Sequence, residues 1–474
     1  MKKFLSILLS VILIISICPM GLFGITANAE TYGYYTIGAG RYYGDLQNAI
    51  THVNTSISGD IIVPSKLGYY QLDYYGPVYQ YQINEIGSGA FADCNLITSI
   101  TIPDEIVYIN YNAFKNCTNL ENVFIGAGVK EIGGNVFSNC NKLKTITISP
   151  DNPYYSSEGC IIYNKDKSLI VSYNDTSSKT NFSIPDCVTE IGSYAFENGK
   201  NLNCVYIPNS VKNIGYGAFY GCSSITNMTI PDSVTNIGER AFYDCTNLKS
   251  VSLGNNVENI GGYAFWNCSS LKNIEFPHSL LNIGELAFQG CSSLKEIIIP
   301  ENVESIEYAC FANCNNLETL ILNAINCNKL GGSNNYSCTS YTGELLYKYP
   351  AFSGCSKLSN IHIGKKVTKI PNYSFSECQS ITNIEIPDSV TSIGDCAFEN
   401  CQNLKSITFS DSITNIGNEA FADCNILTDV WYIGESNSNI SIGSRNSSLE
   451  EAQWHFNTCN VEHVSSAEVM GFNR

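Results

Sequence analysis

Asn236 to Leu253 reads NIGERAFYDCTNLKSVSL, and the same arrangement returns along the chain at a spacing of 23 residues. With Phe242 as the marker, equivalent residues are Phe91, Phe114, Phe137, Phe196, Phe219, Phe265, Phe288, Phe311, Phe352, Phe375, Phe398 and Phe421, thirteen copies in all. Two intervals are longer, 59 residues before Phe196 and 41 before Phe352, so insertions of 36 and 18 residues interrupt the period. A fixed period of this length is the mark of a solenoid, in which each unit buries its apolar face only against its neighbours.

Within one copy the apolar spacing changes. Val251 and Leu253 alternate with Ser250 and Ser252, the two-residue period of a strand with one buried face. Pro231, Gly254, Pro277 and Pro300 end such strands, because proline donates no amide to a ladder. Ala241, Phe242, Cys245 and Leu248 then fall at i, i+1, i+4 and i+7, which predicts a short helical turn. Gly238, glycine in nine of the thirteen copies, predicts the bend into that turn. Successive strands must run the same way, giving a continuous parallel sheet with coils roughly 5 Å apart.

The string I-P-x-x-V-x-x-I-G-x-x-A-F-x-x-C-x-x-L resembles the leucine-rich repeat of the BspA-like bacterial surface proteins, over Ile83 to Asn457. The similarity includes Ser149 to Asn181 and the closing Val430 to Asn457. The resemblance implies a leucine-rich-repeat solenoid, an extracellular or surface-attached location and, for some members of the family, adhesion.

Around the array, residues 1–29 read as a secretory signal: Lys2 and Lys3, an apolar run from Phe4 to Ile17, and Ala27-Asn28-Ala29 as the cleavage site. No later run approaches the roughly 20 apolar residues that span a bilayer, so no membrane span is expected after signal removal. Residues 30–82 carry 11 Tyr and a degenerate first strand, Ile61-Ile62-Val63-Pro64. They read as an N-terminal cap, with sugar or protein stacking as the functional alternative. The array proper is 83–457, with insertions at 149–181 and 323–350, a C-terminal cap at 430–457 and a tail at 458–474. Gly159 to Tyr173, two apolar runs around a polar turn, predicts a hairpin.

A net charge of −17 argues against nucleic acid or anionic lipid as partners. Twelve of the 21 cysteines stand three residues after the marker Phe. Cys245, Cys268 and Cys291, with Phe242, Phe265 and Phe288, are therefore expected as a buried structural ladder of unbridged thiols, since their parallel Cβ vectors suit a disulfide badly. Cys327 and Cys338 lie off that ladder, with ten residues between them in the second insertion, and are a possible disulfide. The five histidines are scattered and no catalytic, metal-ligand or cofactor-binding pattern occurs. The chain is thus expected to have no enzymatic activity, cofactor or metal.

The strand's outward position, one per coil, paints the exposed sheet face. Most of these residues are small and polar; Phe124, Tyr206, Ile298, Ile321, His362 and Trp431 are not. An apolar side chain exposed on a sheet marks a candidate binding patch, although strand propensity also favours these types. The reading is a secreted or cell-surface protein that binds an extracellular protein and serves adhesion. A glycan-binding module built on the Tyr-rich segment, or a non-catalytic subunit of an extracellular enzyme system, is the alternative.

Overall fold

Val251 is buried and Ser252 exposed, as alternation requires. The strand Ser250–Ser252 pairs in parallel with Asn227–Thr229 and Asn273–Glu275, each partner one period away. This relation, seen in a computed structural model, organises the chain. The structure describes residues 23–24, 35–38, 49–69, 79–174, 180–331, 350–433 and 440–456. The expected signal segment apart from 23–24, much of the Tyr-rich stretch, most of the second insertion with Cys338, and the tail lie outside the described residues.

The chain divides into two compact units, Met1–Asp166 with Val171–Ser177, and Lys167–Ile170 with Ser178–Arg474. In the first unit, Ser58–Ile62, Leu96–Ile102, Asn122–Ile125 and Thr145–Ile148 form a parallel front ladder that begins at the degenerate strand. Phe91, Phe114 and Phe137 stack beneath it with ring centroids 4.9 and 5.4 Å apart. In the first insertion the two apolar runs of the expected hairpin form the neighbouring strands Ile161–Asn164 and Leu169–Tyr173, and a further strand not expected from the sequence, Tyr155–Glu158, pairs antiparallel with Ile161–Asn164.

The second unit repeats the plan. Its front strands pair in four ladders, the longest joining Asn383–Glu385, Ser406–Ser410, Asp429–Ile433 and Gln453–Phe456. From Phe196 to Phe311 the marker rings are fully buried, stacked within 12° of parallel at 4.9 to 5.2 Å. The spacing of stacked aromatics is thus the spacing of the coils. Within the second insertion, Gly331 and Pro350 form an isolated antiparallel bridge. Phe352 then stacks on Phe311 at 5.3 Å.

Behind the front strands runs a second parallel ribbon that sequence reading missed. Its strands are two residues long, and Glu190–Ile191, Asn213–Ile214, Asn236–Ile237, Asn259–Ile260, Asn282–Ile283 and Ser305–Ile306 pair without interruption. Two residues are too few for alternation to be recognised. The isoleucines are buried and the asparagines face out, with Asn259 Nδ2 donating to Asn236 Oδ1 at 2.7 Å and Asn282 Nδ2 to Asn259 Oδ1 at 2.8 Å.

The expected helical turns are absent. The one α-helix among the described residues is Ser447–Glu451. Along 240–245 the amides alternate between local and distant acceptors. Those of Arg240, Phe242 and Asp244 donate to the carbonyls of Gly262, Ala264 and Trp266 in the next coil at 2.7 to 2.9 Å. Those of Ala241, Tyr243 and Cys245 donate three residues back, at 3.1 to 3.2 Å. A helix would turn every amide inward along its own axis; here half of them link coils, so the third side of the solenoid is held by backbone bonds too. Arg240 and Asp244 are left-handed, both at φ 57°, and the repeated left-handed residues prevent helix propagation.

Gly238 requires a different explanation from the predicted bend. It is not among the positive-φ glycines, and a Cβ built on it would lie 2.6 Å from the backbone of Gly215 and Ile214. Glycine is needed because neighbouring coils touch backbone to backbone.

Candidate binding face

The front strand Glu296–Ile299 alternates EIII with exposed and buried positions, so Ile297 and Ile299 enter the core and Ile298 faces out. Parallel register places Ile298 opposite Ile321, and Ile321 opposite His362. Ile298 keeps 49% of its surface exposed; Ile321 is half-buried and His362 exposed. Three sequence-predicted residues, separated by one ordinary repeat and one interrupted repeat, thus form a contiguous patch on successive coils.

The other candidates have other register partners. Tyr206, 62% exposed, is paired in register with Ser183. Phe124 belongs to the first unit, between Thr101 and Thr147. Ile62, which sequence reading placed in the degenerate strand without assigning it to the face, is exposed next to Thr101. Trp431 lies opposite Thr408 on one side and His455 on the other.

The sequence reading missed the role of His455. Its ring stacks on Trp431 with centroids 4.2 Å apart, and its Nε2 lies 2.8 Å from Asp429 Oδ1. Bonds from His455 and from Thr428 Oγ1 hold the Asp429 carboxyl below its ordinary range. The signal was present in Trp454-His455-Phe456, where alternation turns the middle residue outward.

The residues expected to form a ladder are internal. Cys245 Sγ donates to the Phe219 carbonyl, Cys268 Sγ to Phe242 and Cys291 Sγ to Phe265, each at 3.2 Å. Burial pushes these thiols well above their ordinary range, and that of Cys222 to about 12. They are free and buried, whereas Cys187 and Cys204 are free and exposed. Cys327 is also a free, buried thiol, donating to the Lys329 carbonyl at 3.2 Å; its suggested partner Cys338 lies outside the described residues.

The turn edge of the second unit carries aromatic residues that were not singled out. Tyr220, Tyr243 and Trp266 stack at 4.6 and 4.4 Å, and the Arg240 guanidinium lies 5.4 Å from the Tyr216 ring and 4.9 Å from that of Tyr263. These rings cover one another's faces, as packing requires. On the same unit Cys396, Glu399 and Glu419 bring potential metal-donor atoms within 4.8 Å of one another. Glu419 is also ion-paired with Arg445 at 2.9 Å.

The family described as BspA type leucine rich repeat region matches residues 77–166, 170–277, 260–343 and 347–466. A search of curated proteins gives no match. Among solved structures, the chain is similar to a leucine-rich repeat protein of Bacteroides ovatus, at 24% identity over 90% of this chain and 98% of that one, with a TM-score of 0.49. It is also similar to a leucine rich cell surface protein of Faecalibacterium prausnitzii, at 23% identity over 90% and 98%, TM-score 0.39. A third similarity is to the pneumococcal vaccine antigen PcpA, at 18% identity over 80% and 94%, TM-score 0.32.

Proposed function

The chain belongs to the BspA-type leucine-rich repeat family, and on that premise we propose that it is a secreted or cell-surface binding protein. It adheres through its front sheet face to a protein of a host or neighbouring cell. The observation that carries this reading is the patch of Ile298, Ile321 and His362 on three successive coils. Exposing apolar surface there has no packing use, because Ile297, Ile299, Leu320 and Leu322 already fill the core beneath. A contiguous apolar patch rimmed by polar residues is the composition of a protein-binding centre. The expected signal sequence supports export. Among the described residues, no helix is long and apolar enough to cross a membrane.

The test is capture of extracellular matrix and cell-surface proteins by the mature chain, alongside a glycan array. The Ile298→Ser/Ile321→Ser variant should lose at least tenfold in affinity for the captured protein while its melting temperature stays within a few degrees. Unchanged protein binding by that variant, or binding confined to the glycan array, rejects the reading.

A further inference from the structure

The patch is bracketed by carboxylates. The neighbouring strands Asn273–Glu275 and Asn383–Glu385 lie against its two outer strands and carry Glu275 and Glu385 at the same outward position of the repeat, both exposed. Glu296 faces out two residues before Ile298 on the same strand. None of the three carboxylates has an ion-pair or hydrogen-bond partner among the described residues. No lysine or arginine occurs in these five strands. Among the described residues, the lysines of these coils lie outside the strands: Lys272, Lys295 and Lys357 precede them, Lys365, Lys366 and Lys369 follow, and Lys329 lies between, with Lys329 paired to Glu307, Lys357 donating to Asn316 Oδ1 at 2.7 Å and Lys366 paired to Glu301 at 3.0 Å. The column across the coils therefore reads acid, apolar, apolar, imidazole, acid.

We propose that this face selects a partner segment with an apolar centre and cationic ends, its two basic side chains placed to reach Glu275 and Glu385. This proposal rests on the patch being the binding site. Four coil steps of roughly 4.8 Å separate the two carboxylates, about 19 Å, a distance that an extended segment covers in about six residues. Apolar contact with Ile298 and Ile321 excludes water between the two acidic ends. A lysine or arginine brought to either end meets a carboxylate with no competing partner, and an acidic segment is repelled. The chain's net charge of −17 extends the same preference to longer range.

The probe is a tethered nine-residue synthetic peptide in which two lysines six residues apart flank three leucines. Two companions replace the lysines by glutamates or the leucines by serines. Binding to the mature chain is measured at low ionic strength and again at 0.5 M salt. The lysine peptide should bind at least tenfold more tightly than the glutamate peptide, and the difference should collapse in 0.5 M salt and in the Glu275→Gln/Glu385→Gln variant. If the lysine and glutamate peptides bind alike while the serine peptide does not bind, the charge selection is wrong and the apolar patch stands. If the double Gln variant keeps the full preference, the preference arises elsewhere and the proposal fails. If none binds, or all bind alike, the patch reading falls as well.

Discussion

Cys268 Sγ lies 3.2 Å from the carbonyl oxygen of Phe242 in the preceding coil and donates its proton there. The same thiol stands three residues after Phe265, whose ring stacks on Phe242 at 5.1 Å. The Phe and Cys columns are thus one device. The ring fixes the coil spacing, and the thiol caps the carbonyl of the ring below with a donor small and apolar enough for the core.

Cys268→Ala should lower stability by about 2 kcal/mol, combining lost packing with a lost weak hydrogen bond. Thermal or urea unfolding measures it. A variant as stable as the parent would show that the thiol contributes neither packing nor a hydrogen bond to the fold.

Alkaline pH should destabilise the second unit. Cys222 holds its proton up to about 12 because burial disfavours its thiolate, while an unfolded thiol ionises near pH 8.5. The unfolded state therefore releases the proton first. The stabilising contribution is complete below about pH 8.5 and is lost as pH rises toward 12, at up to roughly 1.4 kcal/mol per pH unit for that thiol. Buried Cys245 and Cys268 shift the same way and steepen the loss. Melting temperatures should be level between pH 7 and 8 and fall steadily above pH 9.

Thiol labelling should follow exposure. Native protein treated with iodoacetamide should be modified at Cys187 and Cys204 and protected at Cys245, Cys268 and Cys291 until denaturant is added. Peptide mass spectrometry reads each site separately, and native labelling of the ladder thiols would contradict their burial.

Two glycines should respond unequally to replacement. Gly238→Ala drives a Cβ to within 2.6 Å of the adjacent coil's backbone and should cost at least about 3 kcal/mol. Gly290 is left-handed at φ 75° with its nearest neighbour 3.6 Å from a built Cβ, and Asn267 and Asn313 occupy the equivalent site. Gly290→Asn should therefore cost less than about 1 kcal/mol, because asparagine tolerates this conformation. Equal losses would refute the distinction.

His455→Ala should raise the Asp429 carboxyl toward its ordinary value by removing the largest influence that lowers it. Carbon NMR titration of that carboxylate detects the change. The sign follows from linkage: a depressed carboxyl adds stability above its unfolded value, near pH 3.9, and loses it as pH falls through the folded one. The variant should thus be less sensitive to acid in that window.

The sequence alone determined the architecture, because thirteen phenylalanines at a common spacing can share one core only if successive coils stack. It also determined which front-strand residues face out, since alternation is local and Ile298, His362 and Trp431 obey it. Only the tertiary structure decided what the remaining residues of each coil do. Arg240 and Asp244 are left-handed, Asn236–Ile237 is a strand and Gly238 is glycine for close approach, all because of backbone groups one coil away. A local pattern reports what a residue meets a few positions along the chain; it does not report a carbonyl 22 residues ahead. The same reason hid the Trp431 and His455 stack and joined Ile321 to His362 across an insertion, for register between coils is settled by packing.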